Sequence, residues 1–227
     1  MRSRVLSALL LIGLVSSCVG TPQPNPPSLD PSQIGSTRST QLLGLSGAID
    51  PPGAELWITP LDTLGDPQVI VSNADGSFAA MPLEGELQRM QPRLSLEGSE
   101  EVLRGPIVDV RVSPVDGVSF PALALPCWRM PIEQRAPDTA VGSATELVIE
   151  ITNDCGEPVV VTGAAPRRPS DFTVAETPTE IAAGARGTLR VQFAPSAEGV
   201  REEVVFVDLG SPAIERRAVS IYGVGTR

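Results

Sequence analysis

The sequence predicts an all-β protein of two sandwich domains, and three observations carry the prediction. Its 227 residues include 23 Pro and 21 Gly, so turn formers punctuate the whole chain. No stretch of 12 or more residues keeps a clean 3.6-residue apolar period without a Gly or Pro, which argues against amphipathic helices. Short runs with period-two alternation recur instead, as where Leu189, Val191 and Phe193 alternate with Arg190 and Gln192. Setting aside the first 40 residues, about 185 remain, enough for two small domains.

At the N-terminus, Arg2 and Arg4 precede an apolar run from Val5 to Val15 that is too short to span a bilayer, and small Ser16 and Ser17 lead into Cys18. The run Leu14-Val15-Ser16-Ser17-Cys18 resembles the lipobox of bacterial lipoproteins. That resemblance implies removal of residues 1–17 as a signal peptide and a mature chain that begins at a lipidated Cys18. Acyl chains such as palmitate would then hold it to a membrane, each buried methylene contributing about 0.8 kcal/mol, so that two or more chains anchor stably. Val19 follows Cys18 where an Asp would mark inner-membrane retention, which by resemblance to the enteric sorting rule implies the outer membrane, on either its periplasmic or its surface face. Residues 18–40 read as the lipidated Cys and a disordered tether. Thr21 to Ser32 is Pro-rich and poor in apolar residues, and at about 3.1 Å per residue the tether could hold a folded body up to roughly 60 Å from the lipid.

Residues 41–113 alternate apolar runs with turn signals. Strands are expected over 42–49, 54–58, 68–71, 77–81, 87–96 and 107–112, separated by Asp50-Pro51-Pro52-Gly53 and Asn73-Ala74-Asp75-Gly76. The segment from Ser46 to Gly85, with its Pro-Gly turn and Asp75-Gly76-Ser77-Phe78 hairpin, resembles the carboxypeptidase-regulatory or transthyretin-like sandwiches. Residues 114–126 are expected to connect the two domains.

Residues 127–227 carry a more specific set of landmarks. In order these are Asn153-Asp154-Cys155-Gly156 leading into an apolar strand, Asp171-Phe172-Thr173-Val174, a turn at Ala183-Gly184, Leu189 to Pro195, Glu198 to Phe206, and a last strand ending Tyr222-Gly223-Val224-Gly225. Together they resemble the choice-of-anchor D or ASH (hydin-like) immunoglobulin-type domain. The chain departs from the family at Ala136-Pro137-Asp138, before the first turn. Pro195 cannot donate to a ladder and should end its strand. With Cys18 assigned to lipid, Cys127 and Cys155 remain as a pair suited to one disulfide in an oxidising compartment, and related secreted domains show a similar pair.

Composition excludes much chemistry. The chain has no His, and all 17 basic residues are Arg, which removes His-dependent hydrolases, Schiff-base lysines and Walker-type phosphate lysines. The formal charge is -10, and loss of Arg2 and Arg4 with the signal takes the side-chain total to -12, so nucleic acid and anionic lipid are repelled. Asp138-Thr139-Ala140 matches the minimal aspartic-protease tripeptide but has no second copy and sits in a turn context. Asp62, Asp66, Asn73 and Asp75 could suggest calcium, but the spacing fits no EF-hand, and Asn73 to Gly76 reads better as a hairpin turn. Trp57 and Trp128 are read as core residues, and Arg167-Arg168 and Arg216-Arg217 as solvated surface.

The expectation is therefore a non-catalytic, membrane-anchored lipoprotein serving as a structural or protein-interaction module of the bacterial envelope or surface. It has no catalytic residues, no metal and no cofactor, and its partners are envelope or surface proteins with no nucleic acid among them. The alternative is a glycan- or calcium-dependent adhesion module. A carboxylate-only enzyme such as a glycosidase is the third possibility.

Overall fold

The computed structural model describes residues 24–37, 41–96 and 102–227. The signal of residues 1–17 and Cys18 lie outside the described residues. Among the described residues all regular structure is strand apart from one 3-10 turn at Pro31–Gln33. No helix of the described residues is long and apolar enough to cross a membrane.

The first sandwich packs a six-stranded sheet on a smaller three-stranded one. The strand Leu87–Ser95 lies inside the larger sheet. Glu55–Pro60 and then Gln68–Val71 pair on one side of it, with the hairpin partner Val102–Arg104 and the strand Val108–Ser113 on the other. Alternation sends Leu56 and Ile58 inward from one strand and Met90 from its neighbour, where they meet Leu42, Ile49 and Phe78 in a closed core. The turn Asn73 to Gly76 forms as expected, closed by the Asn73 N–H to the Ser77 carbonyl. Gly76 has φ +77°, and a Cβ there would strike the Ile49 carbonyl, so the position requires glycine.

Three boundaries differ from the sequence reading. Within the tether expected over 18–40, the described residues 24–37 form ordered chain: Ser28–Leu29 pairs with Ile49–Asp50, Ile34–Ser36 pairs with Gln41–Gly44, and Leu29 joins the first core. Pro27 packs so closely that a Cβ on Gly105 would sit 2.0 Å from its carbonyl oxygen. Few apolar residues suffice here because the strap borrows its core from the domain it lies on. The single run expected over 42–49 breaks at Leu45 to Ala48, where Gly47 takes φ +79° and Leu45 faces solvent. The connector expected over 114–126 is shorter, because Gly117–Ser119 turns back on Val108–Ser113 and Leu125 enters the second core.

The second sandwich has the strand order of an immunoglobulin-type Greek key. One sheet runs Trp128–Arg129, Thr145–Asn153, Arg186–Phe193, Phe172–Glu176. The other runs Glu133–Arg135, Glu215–Thr226, Gly199–Ser211, Val159–Pro166, Glu180–Ile181, with Thr139–Ala140 also pairing on Glu215–Thr226. The first segment of the domain thus switches sheets, pairing antiparallel with one and parallel with the other. The crossing is made at 130–132, and Ala136-Pro137-Asp138 links the two parallel segments, with Ala136 buried and its N–H donated to the Tyr222 carbonyl. Leu147, Ile149, Ile151, Leu189, Val191 and Phe193 all point into the core, the last three as their alternation predicted. Cys127 and Cys155 form a disulfide beside buried Trp128.

Candidate functional site

Alternation on Leu87–Ser95 places Arg89, Gln91 and Arg93 on the face opposite Met90, beside Thr59, Trp57 and Glu55 of the paired strand. In an isolated sandwich that face would be solvated. Here it is covered by the second sandwich, whose long hairpin presents Glu202, Val204 and Phe206 opposite Tyr222, Ser220 and Ala218. Arg89 and Arg93 are consequently 3% and 8% exposed, rare values for guanidinium groups that only dense pairing makes tolerable.

The pairing is mutual and extends across the interface. Arg93 grips Glu202 through two bonds of 2.8 and 2.7 Å, takes Gln91 Oε1 on its remaining donors, and lies 4.0 Å over the Trp57 ring. Arg104 shares the same Glu202 carboxylate, reaches Glu133, and lies 3.9 Å over Tyr222. Arg89 holds Asp109 in a bidentate pair within the first sandwich while donating to the Ala218 carbonyl and Ser220 Oγ of the second. Gln91 Nε2 donates to Glu133 at 2.9 Å. Beside this polar cluster, Leu61 packs on Val204 and Phe206.

A second clamp closes the other end. Arg167 donates to the carbonyls of Thr63 and Gly65, and Arg168 pairs with Asp66 at 2.7 Å. Between the clamps a cleft of about 620 Å³ opens, walled by Trp57, Tyr222, Val102 and Val200 and rimmed by Glu203. Burial alone would raise the Glu202 carboxyl, but Arg93 and Arg104 outweigh it and hold it below its ordinary value. Its neighbour Glu203 has no such partners. Burial pushes its carboxyl up, against the weaker pull of the Val204 N–H and Arg167. Burial also lowers Arg93, against the pull of Glu202.

Several residues singled out in the sequence therefore have different settings from those expected. Trp57 is an interface residue, its indole N–H donated to Glu55 and its face covered by Arg93. Arg167 and Arg168 are interdomain clamps. Of the second pair, Arg216 meets Asp208 at the surface, but Arg217 is largely enclosed, paired with Glu215 and donating to the Leu125 carbonyl. Trp128 is core, as read. Asp62 accepts the N–H groups of Glu86 and Leu87, Asp75 that of Ser77, and Asp66 faces Arg168, so these acids are drawn to separate partners. Among the described residues no group of three or more acidic or Cys side chains is placed to hold a metal ion. Asp138 forms a surface pair with Arg135. The sequence reading missed Arg89, Gln91, Arg93, Arg104, Glu133 and Glu202. The available signal was three long polar residues at period two, including two Arg, on a strand whose other face also carries Gln88.

The class this fold defines is an all-β chain of two sandwiches, the second of immunoglobulin type. Residues 137–211 of that second sandwich match the family model of the ASH domain, described as abnormal spindle-like microcephaly-associated, ASPM-SPD-2-Hydin. No curated protein matches the chain. Among solved structures, the chain is similar to an ASH / PapD-like domain of human CEP192 at 14% identity and TM-score 0.38, covering 48% of this chain and 96% of that one. It is similar to a protein of unknown function from Porphyromonas gingivalis W83 at 14% identity and TM-score 0.38, covering 88% and 100%. The Vibrio cholerae VesB protease aligns at 14% identity and TM-score 0.39, covering 74% and 76%.

Proposed function

We propose that this protein is a lipid-anchored, non-catalytic lipoprotein of the bacterial envelope whose two sandwiches act as one rigid interaction module. The observation that carries the reading is the interdomain network. Arg89, Arg93, Arg104, Glu133 and Glu202 bind one another or backbone across the interface, so these groups form a fixed scaffold between the two sandwiches. The ASH match of the second sandwich supports an interaction role, and the lipobox resemblance at Cys18 supports the anchor. With the strap docked from Pro27, nine residue steps separate the body from an anchor at Cys18, a reach of at most about 30 Å rather than 60 Å. On this reading the first sandwich lies close to the membrane.

The test is metabolic labelling with radioactive palmitate, comparing the natural chain with Cys18→Ala and following membrane fractionation. Label and membrane retention in the natural chain, both lost in the variant, are expected. An unlabelled natural chain would remove the anchor from the account. Protease shaving of intact cells, with a lysed control, then assigns the body to the surface or the periplasm.

A further inference from the structure

We infer that the free edge of the strand Thr145–Asn153 is a docking site for an extended segment of another protein, one whose every second residue reads basic, apolar, basic. The inference rests on the interaction-module reading and is independent of the lipid anchor.

The edge arises from the sheet switch at the start of the second sandwich. Thr145–Asn153 pairs along nearly its whole length with Arg186–Phe193, but on its other side only Thr152 and Asn153 have partners, in Arg129 and Trp128. The chain then leaves for the opposite sheet, where Glu133–Arg135 and Thr139–Ala140 pair with Glu215–Thr226. The Asn153 N–H goes to the Ala185 carbonyl and the Asp154 N–H to the Cys127 carbonyl, which fixes the orientation of the backbone. By the two-residue repeat, the N–H and C=O groups of Glu146, Val148 and Glu150 all aim at the vacant side. An unpaired edge of this kind is a template for a further strand. A notch of about 810 Å³ lies along it, walled by Met130, Pro131 and Val148 and lined as well by Arg129 and Arg186, which are paired with Asp154 and Glu150.

Charge selects the occupant. The same three residues turn their side chains to solvent, so the outer row along the edge reads Glu, Val, Glu. Their counter-ions, Arg190 for Glu146 and Arg186 for Glu150, sit one strand further in. A second copy of the chain is disfavoured: antiparallel pairing centred on Val148 would set each Glu146 against the other copy's Glu150. A strand with basic residues opposite the glutamates and a small apolar residue opposite Val148 satisfies both the ladder and the charge. Its alternate side chains would face Met130 and Pro131 in the notch.

The experiment uses the mature full-length protein in detergent micelles and a heptapeptide alternating Val with Arg, Val and Arg in turn, Val-Arg-Val-Val-Val-Arg-Val, so that its even residues face Glu, Val and Glu, with the block-sequence peptide Arg-Arg-Val-Val-Val-Val-Val of identical composition as control. Amide exchange at Glu146, Val148 and Glu150 should be fast in the free protein and slow by at least about tenfold with the alternating peptide, and not with the block peptide. Val148→Pro removes one edge-directed N–H while leaving the ladder to Arg186–Phe193 intact, so it should melt as the natural protein does and fail to bind. Equal binding of the block peptide, binding undiminished by Val148→Pro, or protection of these three amides before peptide is added would each overturn the inference. So would formation of a dimer through this edge. None of these outcomes bears on palmitate labelling, so failure here and failure of the anchor are read separately.

Discussion

Glu202 is the residue on which the interface turns, because Arg93 and Arg104 both depend on it for charge compensation. Removing one partner of a buried pair leaves the other desolvated and uncompensated, so Glu202→Ala should destabilise the protein by about 3 to 5 kcal/mol in denaturant unfolding. The adjacent glutamates should respond to pH with opposite signs. The Glu202 carboxyl is held below the ordinary value of 4.5, so its contribution is present above pH 4.5 and lost as pH falls through the lower folded value. The Glu203 carboxyl is raised above 4.5, so its contribution is present below that value and lost as pH rises through the folded one. Glu203→Gln should accordingly raise the melting temperature at neutral pH, while Glu202→Gln should lower it and flatten the acid limb. Melting curves across a pH series check both. The sequence showed these residues only as charged positions on strands, because polar alternation looks the same whether the face meets water or a second domain.

At the scale of elements, the second sandwich was the most legible part. Its strands obey the period-two rule from Leu147 to Ile151 and from Leu189 to Phe193, and the turn at Gly184 has φ +70°. The strap was not legible, since Ser28 to Ser36 contains few apolar residues and its order depends on Leu29 and Pro27 finding a core built by later chain. Leu29→Ala should cost about 2 to 3 kcal/mol and raise the proteolytic susceptibility of the strap, as limited digestion followed by mass spectrometry would show. The disulfide closes a separation of 28 residues, for which chain entropy gives about 3 to 4 kcal/mol. Replacing Cys127 and Cys155 together with Ala should shift the chemical denaturation midpoint of the second sandwich by a corresponding amount.

On the scale of the whole molecule, the two sandwiches were separately visible in the sequence while their union was not. Short turns and alternating runs are local signals, but Arg93 and Glu202 lie 109 positions apart and meet only when both domains have folded. Their meeting turns two modules into a single body, and the proposed role as a rigid presenter depends on it. Residual dipolar couplings measured on the amides of both sandwiches in the mature protein test this directly. A single alignment tensor should fit both sandwiches in the natural chain, and separate tensors should be needed for Glu202→Ala. Two distinct tensors in the natural chain would show domains that move independently and would rule out a single rigid body.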